Sequence, residues 1–269
     1  MTQKLKYIWI LFLIFSQTAM AGLQVFPTRV FLNDKIKAGQ LGLRHQGTTA
    51  TRYRISTVYY KMGEDGSMNA LKKPDGIVDS AIPYIKFSPR VVTLQPNVEQ
   101  VVRVLSAVPK DLPPGEYRAH LYFEEADEAP TVNKTDSPEN EAKMTLNARM
   151  AIAVPVIIRK GEPTSELKLG NLKIVALPDQ KQAFSVEMDR AGKKFVYGDF
   201  RVYFKDKTGK EYLIGMVNGV SSYIDKRKAV YPLQLPLPVE IKNGILRVEF
   251  LDPSAEGGKL QASTQTEIH

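Results

Sequence analysis

The stretch 144-MTLNARMAIAVPVII-158 decides the fold class. Its even positions are all apolar: Met144, Leu146, Ala148, Met150, Ile152, Val154, Val156 and Ile158. Thr145, Asn147 and Arg149 alternate with the first of them. Residues two apart share one face of a β-strand. One face is therefore apolar for fifteen residues, about 50 Å of extended chain. Ordinary strands run to about five or six residues. Two readings stand. The segment is a long, bent edge strand of the protein's own core, or part of its face serves a partner, because a single sandwich does not cover all of it.

The flanks of this segment differ. Upstream, 125-EADEAPTVNKTDSPENEAK-143 has almost no large apolar residues and is rich in Asp, Glu, Asn and Pro. That composition predicts a mobile loop. Asn133-Lys134-Thr135 matches a glycosylation sequon and is taken as chance. Before the loop, short alternating runs are broken by Gly, Pro, Asn and Asp, which is the pattern of a sandwich. Strands are expected at Leu23 to Leu32, Gln40 to Arg44, Thr51 to Tyr60, Tyr84 to Leu94, Gln100 to Ala107 and Gly115 to Glu124. Pro113-Pro114-Gly115 is a turn signal in front of the last. Downstream, Arg159 to Thr164 reads as a linker, and strand rhythm resumes over seven runs from Leu167 to Phe250. Ser254 to His269 is polar and expected to fray. No long amphipathic helix is expected. The fold class is all-β, with a first sandwich over residues 22–160, a second over 161–258 and a polar tail over 259–269.

The N-terminus carries Lys4 and Lys6, the short apolar run Tyr7 to Phe15, and then Ala19-Met20-Ala21. This is the plan of a cleavable signal peptide, cut between Ala21 and Gly22. A spanning anchor needs about twenty apolar residues and this run is nearer ten, so cleavage is the preferred reading. The mature chain is then exported, with no stable membrane insertion. Loss of the two lysines lowers the net charge from +8 to about +6. The basic residues are scattered among acids rather than clustered, which argues against nucleic acid.

Several chemistries are excluded or unsupported. There is no cysteine, so disulfides and thiol catalysis are excluded. The histidines, His45, His120 and His269, are far apart, and no helical metal pair exists. Gly-x-Ser-x-Gly, P-loop, dinucleotide-binding and His-Glu-x-x-His signatures are all missing. The reading is no enzyme, no cofactor and no metal.

The opening LQVFPTRVFL at 23–32, KFSPRVVTLQPNVEQVVRV at 86–104, LPPGEYRAHLYF at 112–123 and ARMAIAVPVIIRKG at 148–161 together resemble the PapD-like periplasmic pilus chaperones. The ending Pro-Val-Ile-Ile-Arg is most similar to the archaic, or alternative, branch. The resemblance implies two immunoglobulin-like β-sandwich domains in a boomerang arrangement. It also implies donor-strand complementation, in which the last strand of the first domain is laid into the open groove of a pilus subunit. The lending face would be Met144, Leu146, Ala148, Met150 and Ile152. Each large side chain buried contributes about 1.5–3 kcal/mol gross, and methionine adapts to several related grooves. The partners implied are pilus subunits and an outer-membrane usher, in a Gram-negative periplasm. An exposed strand edge also gives the free chaperone a route to self-association.

The resemblance further implies a basic anchor for the subunit's C-terminal carboxylate. Arg29 matches the family's arginine on the first strand, and arginine stays charged when desolvated. The family's usual lysine on the lending strand falls on Pro155 here, so the second half of that clamp is open. Arg90 is the candidate substitute, with a solvated strand residue as the alternative reading. Arg149 and Arg159 are weaker candidates. Two other functions are weighed: a pilus subunit or adhesin, and a secreted β-sandwich binding module. A subunit should carry its alternating segment at the mature N-terminus. A sugar-binding module favours aromatic platforms, and the sole tryptophan, Trp9, lies in the leader.

Overall fold

A computed structural model describes residues 22–71, 76–126, 151–178, 181–233, 237, 239–253 and 257–269. Among these residues the chain is built from strands and one 3-10 turn, Ile82–Tyr84. The all-β expectation holds. The expected loop at 125–143 and the segment Met144 to Met150 lie almost wholly outside the described residues, as does the leader through Ala21.

The first half of the chain forms β1 (Leu23–Phe26), β2 (Val30–Asn33), β3 (Ala38–His45), β4 (Thr51–Met62) and β5 (Met68–Leu71). They are followed by β6 (Ile85–Ser88), β7 (Val91–Leu94), β8 (Glu99–Ser106), β9 (Gly115–Glu125) and β10 (Ala151–Lys160). One sheet has the order β1-β3-β8-β6. The other has the order β2-β10-β9-β4-β5, with β7 also on β4. Leu41 and Leu43 of β3 and Val102 and Val104 of β8 are fully buried from the first sheet. Leu32, Leu121, Phe123 and Val156 are buried from the second. Inward residues from two layers thus make one sandwich core.

Two expected strands are each divided. Leu23 to Leu32 was expected as a single strand, but it is β1 and β2 with a cis Phe26–Pro27 bond between them. Tyr84 to Leu94 is β6 and β7, with a cis Ser88–Pro89 bond between them. Proline has no ladder donor, so pairing stops there. In both cases the chain then changes sheet: β1 and β6 are the two outer strands of the four-stranded sheet, while β2 and β7 belong to the other.

The second half forms β11 (Ser165–Ala176), β12 (Gln182–Gly192), β13 (Val196–Lys205), β14 (Glu211–Ser222), β15 (Lys226–Pro232), β16 (Gly244–Leu251) and β17 (Leu260–Ile268). A three-stranded sheet, β11-β12-β15, and a four-stranded sheet, β14-β13-β16-β17, contribute to one core. Phe184, Phe200, Phe204 and Phe250 are fully buried in it. Phe200 meets the edge of Phe250 with ring centres 4.8 Å apart, a favoured aromatic geometry.

The tail is a correction. Residues 259–269 were expected to fray, but Leu260–Ile268 pairs along β16 from Gly244 to Leu251. The strand is hard to see because its inward positions include Thr264 and Thr266 as well as Ala262 and Ile268. A mostly polar edge strand has the period of a strand without its hydrophobicity.

The chain divides into two compact units. The first holds residues 1–58, 81–108 and 119–157; the second holds 59–80, 109–118 and 158–269.

Candidate functional site

β10 is the described part of the long alternating segment. Ala151 and Ala153 are exposed, and Ile152 is half-buried. From Val154 the strand enters the core, with Val154, Val156, Ile157 and Ile158 all buried. In the sheet β10 lies between β2 and β9. β2 has four residues and β10 has ten. Among the described residues, then, β2 covers less than half of that side of β10. An added strand pairs with a sheet edge through backbone N–H and C=O groups. Met144, Leu146, Ala148 and Met150 lie outside the described residues. Ile152 shares its face with Val154 and Val156.

The two expected anchors occupy equivalent places. Arg29 is the last residue before β2 and Arg90 the last before β7. Each follows a cis X–Pro bond at a change of sheet. Arg29 is half-buried, with its guanidinium carbon 5.8 Å from the centre of the Phe31 ring. Arg90 is exposed and lies 5.0 Å from the centre of Phe87. Its carbonyl accepts a hydrogen bond from the Ile55 amide at 2.8 Å, which fixes the backbone. A guanidinium within about 6 Å of an aromatic ring centre gains a cation–π attraction that helps to hold its side chain. Phe31 is on β2 and Phe87 on β6, strands of different sheets.

Arg159, a weaker candidate, is committed elsewhere. Its Nε and a terminal nitrogen donate to Glu116 Oε1 at 2.7 and 2.6 Å. The other oxygen of Glu116 accepts from the Phe195 amide at 2.6 Å. Glu116 is almost wholly buried, so this carboxylate uses both oxygens on the protein's own groups. Arg149 lies outside the described residues.

A feature that the sequence reading missed sits on the same strand as Glu116. Glu116, Arg118 and His120 occupy one face of β9, where ionisable residues usually mark a solvated face. Here they are 4, 1 and 5 % exposed. Arg118 donates to the Tyr59 hydroxyl at 3.2 Å and to the Tyr60 carbonyl at 2.9 Å. Three rings surround it, with centres 3.8 Å (Tyr223), 4.9 Å (Tyr59) and 5.7 Å (Phe195) from its guanidinium carbon. Its Nε and one terminal nitrogen have no hydrogen-bond partner. Tyr59 also donates to Asp79 at 2.8 Å. Burial above all, with Asp79 adding to it against Arg118, pushes the Tyr59 hydroxyl up to about 12. The signal was present in the charge alternation of 116-EYRAH-120, but the sequence does not say that both faces of β9 are covered.

No group of three or more His, Asp or Glu among the described residues could hold a metal. No helix among them is long and apolar enough to cross a membrane.

No family model matches the sequence, and no curated protein matches it. Solved structures similar to it are pilus chaperones. The archaic chaperone CsuC, in complex with the tip subunit CsuE of Acinetobacter baumannii Csu pili, is 12% identical with a TM-score of 0.46; the match covers 92% of this chain and 98% of that one. The CupB2 chaperone of Pseudomonas aeruginosa is 10% identical with a TM-score of 0.46, over 91% and 100% of the two chains. SafB of Salmonella enterica, in complex with the pilin SafA, is 14% identical with a TM-score of 0.43, over 93% and 98%.

Proposed function

We propose that the protein is a periplasmic chaperone of a chaperone–usher pilus. It holds pilus subunits by donor-strand complementation and delivers them to an outer-membrane usher. The observation that carries this reading is the segment 144–158, apolar at every even position, of which the described part from Val154 is buried in the core while the ten-residue β10 has a neighbour of only four residues, β2, on one side. The first domain, 22–160, lends this strand, and Met144, Leu146, Ala148, Met150 and Ile152 fill the subunit's groove. Arg29 holds the subunit's terminal carboxylate, and Arg90 takes the place of the missing second cation. The leader is removed at Ala21–Gly22, which puts the chaperone in the periplasm.

The test is co-expression with the subunit encoded beside it, followed by purification of the complex from periplasm. Met150→Asp should abolish recovery of the complex while the free protein keeps its β-sheet circular dichroism. Undiminished recovery overturns the lending role. Unfolding of the free variant assigns Met150 to the protein's own core instead.

A further inference from the structure

At one end of the first unit is a pocket of about 300 Å³. Its wall is made where β1 starts, β9 ends and β10 begins: Gly22, Phe123, Glu125 and Ile152 line it, together with His45 and Tyr53. Glu125 is the one carboxylate among the described lining residues, and none of them is Lys or Arg. The polar groups deeper in the pocket satisfy one another. His45 is 5 % exposed; its Nδ1 meets the Tyr53 hydroxyl and its Nε2 the Thr51 hydroxyl, each at 3.1 Å. Glu125 forms no ion pair with any described residue. Its charge is felt inside the pocket, because after burial it is the next cause that raises the Tyr53 hydroxyl above its ordinary value.

Gly22 is held in place. Its carbonyl accepts the Gln46 amide at 3.1 Å, continuing the ladder that pairs Leu23 with His45. The first residue of the expected mature chain is therefore fixed against an acidic, otherwise uncharged pocket. We infer that leader removal delivers a specific ligand to this pocket: the new α-ammonium group of Gly22, balanced by Glu125.

The step is hydrolysis by a signal endopeptidase. Water attacks the Ala21 carbonyl, the C–N bond to Gly22 breaks, and Ala21 departs as a carboxylate. The Gly22 nitrogen leaves as an amine and is protonated at neutral pH. Before cleavage that nitrogen is a neutral amide and Glu125 has no counter-charge among the described lining residues; afterwards the two form a pair. The pair joins the start of β1, in one sheet, to the end of β9, in the other. The precursor and the mature chain thus differ in how the two layers are tied at this end. The titratable groups facing the new ammonium are His45 from β3, Tyr53 from β4 and Glu125 from β9; β1 and β10 bring none to the pocket.

This inference rests on the cleavage site given above, and its test separates the two. The mature protein is purified from periplasm and its N-terminus is sequenced. A start at any residue other than Gly22 overturns the inference while leaving the chaperone reading intact. With Gly22 first, the α-amino group is titrated by the pH dependence of its reductive methylation, read by NMR. An unperturbed α-amino group titrates at about 7.7–8.0. The expected result is a pKa higher by roughly half a unit to one unit, lost in Glu125→Gln and kept in Glu124→Gln. Identical titration in the wild type and Glu125→Gln overturns the pairing.

Discussion

The guanidinium of Arg118 lies 3.8 Å from the centre of the Tyr223 ring, and Arg118 is 1 % exposed. A charge this deeply buried is normally matched by an opposite charge. Here the partners are aromatic faces, one hydroxyl and one carbonyl. The ring quadrupoles carry part of the compensation. The backbone at Arg118 is held as well, since its amide donates to the Asp79 carbonyl at 2.8 Å.

Removal of this cation should therefore weaken the second unit. Arg118→Ala is expected to cost about 3 kcal/mol, because it empties a packed site and leaves Tyr59 and Tyr60 without their donor. Tyr223→Leu should cost less, and a double-mutant cycle with Arg118→Met should return a coupling of about 0.5–2 kcal/mol. Urea unfolding midpoints at constant slope measure both. A coupling of zero would mean that the ring contact is incidental.

Tyr59 gives a pH signature. Its folded value, about 12, is above the ordinary value of about 10 for an unfolded tyrosine. The folded state therefore favours the protonated hydroxyl. That contribution is complete below pH ~10 and is lost as pH rises towards 12. The wild type should lose stability over this alkaline window more steeply than Tyr59→Phe. Thermal melts at several alkaline pH values decide it.

Arg29 and Arg90 should separate binding from folding. Arg29→Ala is expected to leave the melting temperature within about one or two degrees of the wild type, because the side chain is half-buried at a strand start. Subunit retention should fall about tenfold to hundredfold, the worth of a charge-assisted hydrogen bond. Arg90→Ala should show a smaller fall in the same co-purification. Equal retention by wild type and Arg29→Ala would remove the anchor.

Gly198 tests the sheet of the second unit. A Cβ there would meet the Leu251 carbonyl oxygen and the Phe250 ring. The neighbouring strand backbone cannot retreat without breaking the pairing of β13 with β16, where Asp199 sits opposite Leu251. Gly198→Ala should cost about 1–3 kcal/mol with no effect on Arg29 or Arg90. A calorimetric scan of the variant measures this.

Much of the fold was legible because most strands alternate with a buried face. The runs from Gln40, Thr51 and Gly115 all fall inside observed strands. Three things were not legible. Hydropathy continues across Pro27 and Pro89, so a change of sheet reads as one long strand. β17 has the period of a strand with too little apolar content. The burial of Glu116 and Arg118 depends on what covers the second face of β9, which is tertiary information. Nor were the aromatic neighbours of Arg29 and Arg90, Phe31 and Phe87, legible in the Pro-Thr-Arg and Ser-Pro-Arg contexts.

The changes of sheet at Pro27 and Pro89 have a mechanical meaning. Because β1 and β6 are the two margins of their sheet, unbroken backbone joins the layers of the first sandwich at both sides. Neither layer can slide past the other unless one of four short strands leaves its ladder. Tension applied to β10 passes to β2, its neighbour in the sheet, and from there through Arg29 and Pro27 into the opposite layer. The sandwich therefore resists shear as a closed frame, with Arg29 and Arg90 seated at its two corners.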